Sequence, residues 1–191
     1  MGRPRAIDAE LTREVIINAA IKILDTEGLD ALSLGRISAA LNVKTPALYW
    51  YFKSKADLYT YVSDALFRGV LEGLDPTLTG RNLLWAFGLA SRRNQRTIRD
   101  ASKLITVAGV SDEIRTQLIP ALLDRIAQDG LTPNQARKAL TAIQALTLGW
   151  SIFESNPATS EVMRRTNEAG DAAFEEALSH LVFGEIHRSP E

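Results

Sequence analysis

Apolar residues recur along this chain at three- and four-residue intervals and nowhere in strict alternation, so every element they predict is a helix. Val15, Ala19, Ala20, Ile23 and Leu24 mark the inward stripe of a first helix over residues 12–27, and Gly28 stops it as a C-terminal cap. Ser33 is a good N-cap, and behind it Leu34, Ile37 and Leu41 give a short helix one apolar face. Asn42 then takes the turn, because asparagine tolerates the left-handed conformation. Thr45 as cap and Pro46 in the first turn predict a second short helix to about Phe52. Leu48 and Phe52 should face inward, which turns Ala47, Tyr49, Trp50 and Tyr51 outward.

The helical period continues over residues 55–74, a rod that joins this head to the rest, with Leu58, Val62, Leu66 and Val70 inward. Further helices are expected over 83–97, 100–107 and 111–129. Pro120 removes a donor and clashes one turn back, so the last of these should kink or break there. Thr132 and Pro133 open a long helix to about residue 155, Asn156 and Pro157 end it, and a final helix is expected over 160–182. The fold class is all-α: a three-helix helix-turn-helix head in residues 1–58, then a helical bundle in 59–191.

The long helix is apolar on more than one stripe, which suits cover from two sides. A second copy of the chain is the economical partner, as two helices from each subunit make a symmetric four-helix bundle. Ile143, Leu146, Phe174, Leu178 and Leu181 are the expected contacts of such a homodimer.

Composition narrows the chemistry. The 191 residues are 46% hydrophobic with a formal net charge of -1, ordinary values for a globular protein with a sizeable core. Cysteine is absent, so neither a disulfide framework nor a thiolate metal site is available. No apolar run is long enough for a membrane span, and the start lacks a signal-peptide core, so a soluble, cytoplasmic protein is expected. No glycine-rich phosphate loop, nucleophile motif or metal-ligand spacing occurs, so neither an enzyme nor a cofactor is expected. Glu113, Asp124, Glu175 and Glu176 read as solvated helix faces.

Residues 33–55 stand apart. Their charged side chains are Arg36, Lys44, Lys53 and Lys55 with no acid among them, beside three consecutive aromatics that a soluble protein rarely exposes without a use. Phosphate is the natural counter-charge. Met-Gly-Arg-Pro-Arg at the start is either a frayed end or an arm whose Arg3 and Arg5 enter a minor groove.

Leu34, Ile37, Leu41 and Val43, followed by the run Leu48-Tyr49-Trp50-Tyr51-Phe52-Lys53-Ser54-Lys55, resemble the DNA-binding domain of TetR-family transcriptional regulators. The resemblance implies a dimeric repressor on a palindromic double-stranded operator, with heads about one helical turn apart. It places Ser33, Arg36, Lys44, Thr45, Pro46, Ala47, Tyr49, Trp50, Tyr51, Lys53 and Lys55 at the DNA. Tyr49, Lys53 and Lys55 would hold phosphates, while Thr45, Pro46, Ala47, Trp50 and Tyr51 would meet base edges, and Arg36 could do either.

Beyond the head, Arg99 to Leu104, Asp129-Gly130-Leu131 and Thr147-Leu148-Gly149 are similar in order and spacing to the tetracycline repressors of that family. Those hold a magnesium-drug chelate with histidines. At the matching positions this chain has Leu71, Ile105 or Thr106, and Ala145, while its only histidines are His180 and His187 near the C-terminus. The resemblance therefore implies an effector domain without that metal, for a more apolar small molecule lined by Phe67, Leu71, Trp85, Leu104, Ile105 and Trp150. The alternative is a DNA-bound scaffold of the same fold acting through a protein partner, which a bundle without a ligand cavity would favour.

Overall fold

A computed structural model describes residues 11–166 and 169–184. Ten α-helices run through them, and no strand occurs among the described residues.

The head is built from α1 (Arg13–Glu27), α2 (Leu34–Leu41), α3 (Thr45–Leu48) and the start of α4 (Lys55–Glu72). Side-chain oxygens set its starts: Thr12 accepts from the Val15 amide, Ser33 from Arg36 and Ser54 from Asp57. Asn42 sits in the left-handed region at φ 53°, and its amide returns to the end of α2. Ile16, Ala20, Ile23 and Leu24 of α1 are buried against Leu34, Ile37, Leu48, Phe52, Leu58 and Val62. Ile16 thus takes the place expected of Val15, which is only half-buried.

Two local expectations fail in α3. Lys44, not Thr45, is its N-cap residue, and the Thr45 hydroxyl instead meets the buried Ser38 hydroxyl at 2.8 Å, pinning α3 to α2. The helix also ends at Leu48, so Tyr49 to Tyr51 lie in a turn rather than a continuing helix.

The second body packs α5 (Gly80–Thr97), α7 (Ile119–Ile126), α8 (Pro133–Ser155) and α10 (Asp171–Phe183) on the far end of α4. Its core holds Leu83, Leu84, Phe87, Leu122, Leu140, Ile143, Phe174 and Leu178. Gly88 lets α5 and α10 meet closely, because a Cβ there would lie 2.7 Å from both Leu178 methyls. Before Pro120 the chain takes a wide π turn over Ile114–Leu118, which frees α7 to begin with the proline in its first turn. Thr132 and Gln135 form a reciprocal capping box at the start of α8.

The expected single final helix is two, α9 (Pro157–Arg165) and α10. Gly170, at φ 96°, caps the second. Ile143, Phe174 and Leu178, expected at a dimer interface, are fully buried within the one chain, because α5 covers that side of α8 and α10. Leu146 is half-buried and Leu181 exposed. With Ile152, Phe153, Val162 and Phe183 they leave apolar surface on the outer sides of α8, α9 and α10.

Between the bodies lies α6 (Ala101–Val107). Ala101 and Leu104 are buried in the head's core rather than the bundle's. Asp100 accepts the Leu29 amide at 3.0 Å, and the Arg99 amide donates to Asp25 at 3.2 Å. The close approach requires Gly28: its φ of 88° suits glycine, and a Cβ there would lie 2.8 Å from the Asp100 carboxylate. The rod α4 is therefore not the sole link between the bodies, as α6 is a second, non-covalent one.

Candidate nucleic-acid interface and inner cavity

The turn after α3 carries the exposed large hydrophobic side chains of the head. Trp50 is 89% exposed and Tyr49 57%, while Leu48 and Phe52 on either side are fully buried. That contrast comes from chain direction: the two buried residues anchor the turn, and Tyr49 and Trp50 between them point away from the core. Pro46, Lys44, Lys53 and Lys55 are exposed around them, and none of the three lysines has an acidic ion-pair partner among the described residues. The Lys55 ammonium lies 5.3 Å from the Tyr59 ring. Ala47 and Thr45 are half-buried behind this surface, and Ser33 is occupied as the cap of α2.

Two residues expected at the surface are otherwise engaged. Tyr51 is half-buried against the head core, and its hydroxyl donates to the Leu11 carbonyl, so it braces the start of α1 instead of facing outward. Arg36 makes a two-pronged ion pair with Glu27, at 2.5 and 2.9 Å. The Arg36 hydrogen bonds hold the Glu27 carboxyl below the usual carboxylate range and raise the guanidinium's own affinity for its proton. An acid nine positions upstream thus offsets the cation that the local sequence leaves unpaired. Arg3 and Arg5 lie outside the described residues.

The second feature is a partly open cavity of about 260 Å³ between the rod, α5, α6 and α8. Asp64, Phe67 and Val70 face it from α4, with Phe87, Ser91 and Asn94 from α5. Ile105 enters from α6, Ile114 from the π turn, and Gln144 and Thr147 from α8. Of the residues expected to line an effector site, Phe67 and Ile105 line this cavity. Leu104 points into the head core, and Leu71 packs on the bundle core outside the cavity. Trp85 meets Phe183 at a tilt of 45° and 5.8 Å, and Trp150 meets Phe174 edge-on at 5.6 Å, both away from the cavity. Ser91, Asn94, Gln95 and Gln144 supply a polar lining that no motif in the sequence marks.

Asp64 is the single charged residue in that lining. It is 6% exposed, and burial pushes its carboxyl above the ordinary aspartate range despite hydrogen bonds from Ser111. Among the described residues no group of histidines and acids could hold a metal ion, and no helix is long and apolar enough to cross a membrane. His180 is exposed on α10, and His187 lies outside the described residues.

Residues 16–62, covering α1 to the first half of α4, match the family model described as bacterial regulatory proteins, tetR family. The chain is 27% identical over 163 residues to the class D tetracycline repressor protein of Escherichia coli, spanning 82% of this chain and 72% of that one. It is 36% identical over 62 residues to the regulator AcrR of Shigella flexneri, which spans 32% of this chain and only 29% of AcrR. Among solved structures, TetR of Acinetobacter baumannii superposes with a TM-score of 0.72 at 22% identity, covering 92% of this chain and 96% of that one. BioQ of Mycobacterium smegmatis gives 0.72 at 24% identity over 92% and 97%. A further structure, BioQ with its natural double-stranded DNA operator, gives 0.65 at 23% identity over 92% and 98%. At these identities the superpositions establish the fold.

Proposed function

We propose, for a chain that belongs to the TetR family of bacterial regulatory proteins, that it is a cytoplasmic, homodimeric repressor released from a palindromic operator by a small molecule. Its relatives are regulators of transcription, not enzymes. The observation that carries the reading is the turn after α3, where Trp50 and Tyr49 stand clear of the core among lysines without acidic partners.

Lys44, Lys53, Lys55 and the Tyr49 hydroxyl hold phosphates and fix the docking. Pro46, Ala47 and Trp50 meet base edges and thymine methyls in the major groove. Thr45, tied to Ser38, positions α3 instead of reading a base, and Arg36, tied to Glu27, stiffens the support behind it. The subunits pair through the outer apolar sides of α8 and α10, where Leu146, Phe153 and Leu181 lie, with the two heads one turn of DNA apart.

The cavity between α4, α5, α6 and α8 favours a small-molecule effector over a scaffold role. Ile105 and Leu104 are neighbours on α6, one facing the cavity and the other the head core. A ligand that shifts α6 therefore shifts the head as well as the rod, and the spacing of the heads with it. Full reversal from bound to released requires the effector to favour the released state by about 5.5 kcal/mol.

The test is selection of random-sequence duplexes by the purified protein, with affinity followed against salt. A palindrome with half-sites about 34 Å apart is expected. Three lysine-phosphate contacts from each of two heads give a slope of log affinity against log salt of about -5. Enrichment of no sequence, or a slope near zero, refutes the interface.

A further inference from the structure

The cavity has a charge asymmetry that its apolar walls conceal. Of its lining residues only Asp64 is ionisable; the rest of the polar lining is hydroxyls and amides, including Asn94, Gln144 and Thr147. Among the described residues no lysine, arginine or histidine lines it. Arg68, one turn further along α4, is engaged with Glu113 at 2.7 Å, outside the lining. Asp64 itself has no ion-pair partner within 4.0 Å among the described residues, although it is almost fully buried. Ser111 hydrogen-bonds the carboxyl but brings no positive charge, and the longer-range pull of Arg68 is opposed by its own partner Glu113.

A buried carboxylate without a cation is costly, and the cost falls when a positive group enters beside it. An anionic ligand would add a second negative charge in a site of low dielectric, where repulsion is strongest. Phe67, Phe87, Ile105 and Ile114 supply apolar and aromatic walls for the body of a guest. From this geometry we propose that the ligand of this cavity is a hydrophobic amine, bound with its positively charged nitrogen against Asp64 and its apolar body between α4, α5 and α6. The assignment rests on the reading of the cavity as the effector site and specifies the chemical class of the effector.

Three probes of one shape separate charge from shape: phenethylamine, phenethyl alcohol and phenylacetate, titrated calorimetrically into the full-length wild-type protein and into Asp64→Asn. A charge-assisted hydrogen bond in place of a neutral one predicts that the amine binds wild type about tenfold tighter than the alcohol, with phenylacetate weakest. In Asp64→Asn the amine should lose that advantage while the alcohol binds as before. Equal binding of amine and alcohol by wild type overturns the assignment, as does an amine preference that survives in Asp64→Asn. In both cases the cavity itself would remain a ligand site. Binding of none of the three by wild type overturns the assignment together with the effector-site reading on which it rests. The wild-type series alone decides the charge question if the variant does not fold.

Discussion

Glu154, near the end of α8, gathers three donors from three parts of the bundle. The buried guanidinium of Arg92 on α5 reaches it at 2.6 and 2.8 Å, and the Trp150 indole N–H and the Gly170 amide each reach it at 3.2 Å. The Arg92 side chain is 4% exposed and lies 5.2 Å over the Phe174 ring, whereas Glu154 is 23% exposed. Its Nε and Nη1 make no hydrogen bond, and Asp171, 3.5 Å from Nε, is more than half exposed. Glu154→Ala therefore strands a buried cation with one weak, screened neighbour. Breaking a buried pair in this way costs about 3–5 kcal/mol, and the partial exposure of the acids argues for about 3. Arg92→Met removes the charge that is hard to bury and leaves an acid that water and two donors still serve, so it should cost only about 1 kcal/mol. The two substitutions should couple: the double variant should be more stable than Glu154→Ala alone. Urea melts at one fixed protein concentration measure all four proteins. For a chain of this size the Glu154→Ala loss corresponds to a fall of roughly 6–12 °C in melting temperature. Equal cost for the two single changes, or simple additivity in the double, would refute the argument from asymmetric burial.

Trp50→Ala should leave the melting temperature nearly unchanged, within about 0.5 kcal/mol, while lowering operator affinity about tenfold by gel shift; unfolding instead would place Trp50 in the core. Gly88→Ala should cost about 1–3 kcal/mol in a urea melt, because its methyl would collide with both Leu178 methyls and lie 3.3 Å from Ile143. An unchanged midpoint there would mean that α10 rides loosely on α5. Asp64 sets a pH dependence. Its carboxyl holds its proton longer in the folded chain than in the unfolded one, so native stability falls as pH rises from the unfolded value of about 3.9 through the raised native one. Asp64→Asn should thus gain on wild type across that window and keep its full advantage at neutral pH, as read from urea melts at stepped pH; an advantage that shrinks with rising pH would contradict the sign.

The elements most legible in the sequence are those set by local chemistry. Thr12, Ser33 and Asn42 mark helix ends because their side chains or backbone satisfy nearby peptide groups, and Thr132 does so with Gln135. What escaped the sequence depends on distant partners. Nothing near Arg36 announces Glu27, since the pair spans the end of α1 and the turn into α2. Tyr51 reads as one of three like aromatics until the early end of α3 rotates it toward Leu11. The division of the last helix shows in the end of α9 at Arg165 and the new start behind Gly170, within a run whose apolar spacing otherwise continues. Ile143, Phe174 and Leu178 show the limit of periodicity: a stripe reveals that a face is covered, and tertiary packing alone reveals by what.

Ala101 and Leu104 have a practical consequence for building hybrids. A head excised at residue 58 would leave behind two apolar side chains that complete its interior, along with the rest of α4 and the carboxylate that receives the Leu29 amide. Swapping this head onto another regulator at that seam would join a surface with two missing pieces to a helix shaped for a different one. Exchange should succeed where the donor segment carries residues 99–104 with the head, or where the recipient's own helix is recut to small-then-leucine spacing at the matching sites. The unit that can be traded intact is discontinuous in the chain.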